Sequence, residues 1–316
     1  MRFYLESGVV NAVENLSFKV RTGSSCGIVG ESGSGKTVTA LTIMGLLPRP
    51  PGRVDSGRIL FKEENLLEKN DAEMRRLRGK SISMIYQDPM TSMNPVLKVG
   101  FQVAEALMVH EKLSKEAAES RAVELMSTIG IPEAEKRARD YPHQFSGGMR
   151  QRMMIAMALS TSPDLVIADE PTTALDVVTQ AQILALLKDL QQKHGMTIIL
   201  VTHDVGIVAQ LCDEILVMYA GHGMEHGTSK EILADAKHPY TRGLLESITR
   251  ADREIERLSS IPGTIPNLVT LPAGCRFHPR CPLAFAKCTI GPAPPAFRTG
   301  NNRFAKCWLF EGAEAP

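Results

Sequence analysis

Eight consecutive residues, Gly30-Glu31-Ser32-Gly33-Ser34-Gly35-Lys36-Thr37, follow an apolar run that ends at Val29 and precede an apolar stretch of helical spacing. Glycines at this density let the backbone fold around a phosphate with its N–H groups pointing inward. The helix that follows adds its positive end. All fixed positions of G-x-x-x-x-G-K-[ST] are met, which places Lys36 to reach the β and γ phosphates of a nucleotide and Thr37 to ligate Mg²⁺. Further along, the apolar run of residues 165–168 ends in Asp169-Glu170. A buried strand ending so offers one carboxylate to Mg²⁺ and leaves the next to polarise an attacking water.

A second anion-binding turn lies in Phe145-Ser146-Gly147-Gly148-Met149-Arg150-Gln151-Arg152. Ser-Gly-Gly opening a helix presents free N–H groups and a hydroxyl at a positive helix end. Two further polar residues stand where strands end. Gln87 follows Ile82-Ser83-Met84-Ile85-Tyr86 and precedes Asp88-Pro89, where the chain must leave the sheet. His203 stands just past the apolar run of residues 197–201. Alone, Gln87 is an ordinary surface residue and His203 an ordinary strand-end histidine; their order along the chain gives them weight.

Four of the six cysteines fall late, at Cys275, Cys281, Cys288 and Cys307, spaced C-x5-C-x6-C-x18-C among prolines and glycines. Structural zinc prefers pairs two to four residues apart, so this spacing suits zinc poorly. A [4Fe-4S] cluster tolerates more varied spacing, and unliganded thiols are the third possibility. Cys26, beside the phosphate loop, and Cys212, in the apolar helical stretch AQLCDEI, read as small core residues.

The elements that position these residues alternate in type. A β edge is expected from the alternation after residue 9, then a buried strand at residues 26–29 and a helix at 37–47. Residues 98–140 are helical, with segments 101–110 and 115–129 stopped by Gly130 and Pro132, and look like a separate small lobe. Strands at 165–168, 197–201 and 214–219, with a helix at 177–194, imply a parallel sheet covered on both faces. The chain has 316 residues, 43% of them hydrophobic, and 36 basic against 35 acidic side chains. That balance leaves no electrostatic footprint for nucleic acid. No apolar run approaches the roughly 18 to 20 residues needed to cross a bilayer, and no secretory leader is evident, so a cytoplasmic protein free of disulfides is expected.

Taken in order, residues 30–37, Gln87, residues 145–151, residues 165–170, Thr173-Ala174-Leu175-Asp176 and His203 resemble the motifs of ABC-family ATPases, whose usual signature is LSGGQ. The resemblance implies an α/β fold: a RecA-like P-loop core with an antiparallel β edge (residues 1–87 and 163–237), a helical subdomain with the signature (88–162), and a Cys-rich C-terminal extension (238–316). It implies ATP and Mg²⁺ as cofactors. Gly30, Glu31, Ser32, Gly33, Ser34, Gly35, Lys36 and Thr37 then hold the nucleotide. Thr37, Gln87 and Asp169 attend Mg²⁺, Glu170 acts as base, and His203 contacts the γ-phosphate. Phe3 or Tyr4 stacks on adenine. Ser146, Gly147, Gly148 and Asp176 meet a second ATPase subunit in a head-to-tail pair, a heterodimer by expectation.

QDPMTSMNP at 87–95, HPYTRGLL at 238–245 and IPGTIPNLVTLPAGCRFHPRCPLA at 261–284 resemble the ATPase subunits of dipeptide and oligopeptide importers. Nickel and some sugar importers share these stretches. That placement implies a peripheral subunit on the cytoplasmic face of the membrane, two permease partners, an extracytoplasmic solute-binding protein and a peptide cargo. It also implies a [4Fe-4S] cluster on the four late cysteines. A DNA-associated ABC ATPase and a redox-sensing tail are the competing readings; the short segment between Gln87 and Phe145 and the absence of a basic surplus disfavour the first.

Overall fold

The computed structural model describes residues 1–173, 175–247 and 261–312, which fall into two compact units. The first comprises residues 1–20, 25–59 and 201–316, the second residues 21–24 and 60–200. Ala174, part of the expected Thr173–Asp176 loop, and residues 248–260 and 313–316 of the expected extension lie outside the described residues.

In the first unit the strands Ser25–Val29 and Glu214–Tyr219 pair in parallel, Glu214 opposite Cys26 and Val217 opposite Val29. Both strands are buried along their whole length, as the unbroken apolar runs CGIV and ILVMY demand. From Glu214–Tyr219 outward the sheet turns antiparallel, through His222–Thr228 and then the hairpin Arg303–Ala305 and Phe297–Gly300. The late, Pro- and Cys-rich part of the chain therefore adds two strands to the sheet that carries the phosphate loop. A second, three-stranded antiparallel sheet joins Gly8–Val10, Arg2–Leu5 and Gly52–Arg53. The β edge expected from residue 9 onward stops at Val10; residues 11–24 form no strand.

The helix Lys36–Met44 is shorter than the expected 37–47 because Gly45, at φ 64°, closes it in the left-handed conformation. Cys212 sits just beyond the helix Val205–Leu211, at its C-terminal cap, rather than inside it. It is buried all the same, as is Cys26.

In the second unit Ile82–Ile85 and Leu165–Asp169 pair in parallel, Ile82 opposite Leu165 and Ile85 opposite Ala168. The helices Val99–His110, Lys115–Thr128 and Gly147–Leu159 pack on one another. Their shared core includes Val103, Leu107, Ala122, Met126, Met153 and Ile155, all buried. Ser114 opens the second of these helices by accepting the Ala117 N–H at 3.3 Å.

Candidate nucleotide site

The first unit presents residues 30–37 as a loop between a buried strand and a helix. Two positions of the loop admit no side chain: a Cβ at Gly30 would lie 2.1 Å from the Met218 carbonyl oxygen, and one at Gly35, whose φ is 98°, would lie 2.5 Å from the Ala12 carbonyl oxygen. Lys36 is buried, and its ammonium donates to the carbonyls of Gly30 at 2.8 Å and Glu31 at 3.0 Å. Ser34 and Gly35 are buried beside it, whereas Ser32, Gly33 and Thr37 face solvent. The helix beginning at Lys36 has no acidic residue in its first turn, so its positive end is open to an anion.

Glu31 is the unexpected member, since a carboxylate in a phosphate-binding loop repels the ligand it serves. The Arg280 guanidinium takes it in a two-pronged grip, with nitrogen to oxygen distances of 2.8 and 3.2 Å. The Glu31 N–H donates to the Tyr240 hydroxyl at 3.0 Å. His203 is exposed, one residue past the strand Thr197–Thr202, and Asp204 beyond it caps the next helix through the N–H groups of Gly206 and Ile207.

The second unit brings together Gln87, Glu170 and Thr173. The Gln87 amide donates to a Glu170 carboxylate oxygen at 3.1 Å, and the Thr173 hydroxyl donates to the same oxygen at 2.9 Å. Asp169 is buried at the strand end, and Glu170 follows at φ 45°, a left-handed conformation that costs a non-glycine residue of order 1 kcal/mol. That turn swings the carboxylate away from the strand toward Gln87. Thr173 is the partner that the sequence did not single out for Glu170.

At the second anion-binding turn, the Ser146 hydroxyl accepts the Met149 N–H at 3.4 Å and so caps the helix Gly147–Leu159. Ser146 and Gly147 are exposed, and Phe145 is buried beneath them. Gly148 has a packing reason to be glycine, since a Cβ would lie 2.7 Å from the Thr179 methyl. Asp176 caps the helix Val177–His194, accepting from the Thr179 N–H at 2.9 Å and its hydroxyl at 2.7 Å. Those bonds, the backbone one foremost, hold its carboxyl below the usual range. The next two residues, Val177 and Val178, are apolar yet 82% and 68% exposed.

Of the two aromatics near the start, Phe3 is half-buried opposite Gly52, and Tyr4 is 45% exposed with its hydroxyl on the Asp55 carboxylate at 3.1 Å. Cys275, Cys281, Cys288 and Cys307 line a single small cavity with His238, Phe277, His278 and Trp308. None is in a disulfide. Burial pushes the Cys275 thiol up to about 12 and Cys307 up to about 11, so both are neutral thiols. Among the described residues, no group of three or more His, Cys, Asp or Glu side chains stands poised to hold a metal ion. The expected [4Fe-4S] cluster thus finds convergent cysteines but no ready-made set of ligands.

Residues 13–173 match the family described as ABC transporter. The chain belongs to that family. Its fold agrees: a dimeric ATP-binding cassette in a post-hydrolysis state, bound to ADP and Pi, superposes with a TM-score of 0.65 at 27% identity, covering 72% of this chain and 95% of that one. The family is one of ATPases, and this member has the α/β cassette fold with a mixed sheet. Residues 224–288 match a second description, the C-terminal region of oligopeptide/dipeptide transporters. Among similar proteins, the oligopeptide transport ATP-binding protein OppD of Bacillus subtilis (strain 168) is 51% identical over 97% of this chain and 86% of its own length. The dipeptide transport ATP-binding protein DppD of the same organism is 50% identical over 97% and 91%. OppD of Haemophilus influenzae is 49% identical over 98% and 94%. No helix among the described residues is long and apolar enough to cross a membrane.

The sequence alone does not reveal the partners of Glu31, although Tyr240 lies within residues 238–245 and Arg280 within residues 261–284. The available signal was chemical: an acidic residue inside a polyphosphate loop requires a cation, and Arg280 stands between two cysteines in a stretch otherwise rich in proline and apolar residues.

Proposed function

We propose that this chain is the ATP-hydrolysing subunit of an importer of dipeptides and oligopeptides, peripheral on the cytoplasmic face of the membrane. One observation carries the reading: an ABC transporter match over residues 13–173 and an oligopeptide/dipeptide transporter match over residues 224–288 occur in the same chain. Relatives named for peptide transport at about half identity favour peptides over nickel or sugars, and transport over work on DNA. The subunit acts with two permease subunits, a solute-binding protein outside the membrane, and a second ATPase chain as its heterodimer partner.

In this reading residues 30–37 cradle the phosphates, Lys36 reaches the β and γ oxygens, and Thr37, Asp169 and Gln87 attend Mg²⁺. Glu170 takes the proton from the attacking water while Gln87 and Thr173 fix its carboxylate, and His203 contacts the γ-phosphate. Tyr4, with its exposed ring, is the adenine platform in preference to Phe3. Residues 88–162 serve as the helical subdomain. Its exposed Ser146 and Gly147 and the half-buried Gly148, together with Asp176, close on ATP held by the partner ATPase. Residues 238–316 form the extension. For the four late cysteines the reading keeps a [4Fe-4S] cluster, supported by their convergence on one cavity; the thiols would have to close inward on it and ionise. Iron and sulfide counts on chain purified without oxygen test that part alone, and metal-free protein would end it.

The reading as a whole is tested by uptake. The chain is co-purified with its permease partners, placed in vesicles with ATP inside and the solute-binding protein outside, and offered labelled peptides, nickel and sugars separately. Peptide accumulation that stops without ATP is the expected result. Accumulation of nickel or a sugar but not peptides would replace the cargo, and failure to associate with any permease would sink the assignment.

A further inference from the structure

Glu31 is held at four points. Its carbonyl accepts from the Lys36 ammonium at 3.0 Å and the Ser34 N–H at 3.2 Å, its N–H donates to Tyr240, and its carboxylate is gripped by Arg280. Lys36 and Ser34 belong to the loop; the other two come from the last third of the chain. Arg280 is itself fully engaged and buried. Its Nε donates to the Pro262 carbonyl at 2.8 Å, and its terminal nitrogens reach the Ile261 carbonyl at 3.2 Å and the Tyr219 hydroxyl at 3.4 Å. Below it Tyr219, Tyr240 and Phe277 meet with ring centroids 4.7 to 5.2 Å apart, all fully buried. Such a set has little freedom to shift.

The neighbouring arginine on the same short segment makes a second attachment. Arg276 donates to the Ala220 carbonyl and pairs with Glu14. The next residue, Gly221, donates its N–H to the carbonyl of Ser34, within the phosphate loop, at 2.9 Å. Residues 275–281 thus reach the loop at both ends, directly at Glu31 and through the Ala220-Gly221 turn at Ser34.

We infer that Arg280 is a positioning residue for ATP binding: it neutralises and fixes the Glu31 carboxylate, so that the phosphate loop holds its shape and does not repel the nucleotide it cradles. Tyr240 fixes the same residue from the backbone side. The inference rests on the assignment of residues 30–37 as the phosphate-binding loop. When Lys36 turns to the phosphates, Glu31 loses one attachment, and Arg280 and Tyr240 are the two from outside the loop that keep it in place.

The charge argument supplies a test that packing alone would not satisfy. Arg280→Met keeps bulk and removes the cation, leaving an unpaired carboxylate beside the loop; affinity for trinitrophenyl-ATP, measured on the full-length chain with Mg²⁺, falls by about tenfold. Adding Glu31→Gln to that variant removes the stray charge and restores most of the binding, and Arg280→Lys on its own retains a good part of it. Melting curves recorded alongside confirm that each variant is folded; if Arg280→Met does not fold, the comparison is made between Arg280→Lys with and without Glu31→Gln, where the single variant binds more weakly than the parent and the added Glu31→Gln recovers the loss. Lys36→Ala is the control for the loop itself. Nucleotide binding that survives Lys36→Ala removes the loop assignment. Binding lost in Lys36→Ala but at parent strength in Arg280→Met, or not recovered by Glu31→Gln, overturns the role of Arg280 and leaves the loop assignment standing.

Discussion

The Gly-rich loop of the first unit at residues 30–37 and the Ser-Gly-Gly turn of the second both stand at the start of a helix, yet they are supported in opposite ways. Glu31 and Lys36 are held by backbone carbonyls, a buried hydroxyl and an arginine. Around Ser146 and Gly147 the chain offers one weak capping bond and open solvent, with two exposed valines nearby in sequence after Asp176. The difference suits the proposed roles: a loop meant to hold its shape before a ligand arrives has its partners inside one unit, and a turn proposed to complete another subunit's site is left bare for a partner from outside.

Four experiments sharpen that contrast or break it. The largest effect is expected from Glu170→Gln, which keeps the Gln87 and Thr173 neighbours but removes the base: ATP hydrolysis by the assembled transporter falls by roughly 100-fold or more. Turnover at the parent rate would take the catalytic role from the second unit.

Next is acid. Burial holds His222 and His238, both in the first unit, down to about 3, so each is neutral when folded. The unfolded chain binds their protons below about 6.5, and between there and pH 3 it binds more protons than the folded one. Stability is therefore full above pH 6.5 and declines as pH falls, by up to about 1.4 kcal/mol per pH unit for each histidine. Denaturant midpoints from pH 7 to 5 read this directly, and a flat profile would contradict the burial. A probe in the second unit that falls just as steeply when monitored separately would erase the contrast.

Smaller is Gly148→Ala, whose methyl meets Thr179; it destabilises by about 1 to 2 kcal/mol, while Gly147→Ala, with only an ordinary contact to Leu175, does not. Equal melting temperatures for the two variants would show that the turn has more room than the packing allows. The mildest is Thr173→Val, which removes the Thr173 bond to the Glu170 carboxylate, worth about 1 kcal/mol, and lowers hydrolysis about fivefold. No change in rate would show that the Thr173 hydroxyl does not help to fix that carboxylate.

What was legible in the sequence follows from distance along the chain. The strand, loop and helix around residues 30–37 were legible because strand, glycines, lysine and helix are contiguous; the same is true of the strand ending at Asp169 and of the helix opened by the Ser-Gly-Gly turn. The strand His222–Thr228 was not legible. Its residues HGMEHGT show no apolar alternation, and they are buried only because Glu214 lies 3.3 Å from His226 and Arg303 lies 3.0 Å from Glu225. The late hairpin at residues 297–305 was hidden for the same reason: a strand edge to pair with exists only once the fold is made. In the site, the partners of Glu170 were half visible, Gln87 by its place after a strand and Thr173 not at all. Those of Glu31 were invisible, since nothing local ties residue 31 to residue 280.

That last separation has a temporal side. Glu31 and Arg280 lie 249 positions apart, and a ribosome adding about 5 to 20 residues per second needs tens of seconds to go from one to the other. For that interval the nascent chain has its phosphate loop with an uncompensated carboxylate in it. The loop at residues 30–37 receives its arginine from the far end of the polypeptide, so a chain abandoned before residue 280 is released with the Glu31 charge still unpaired by Arg280.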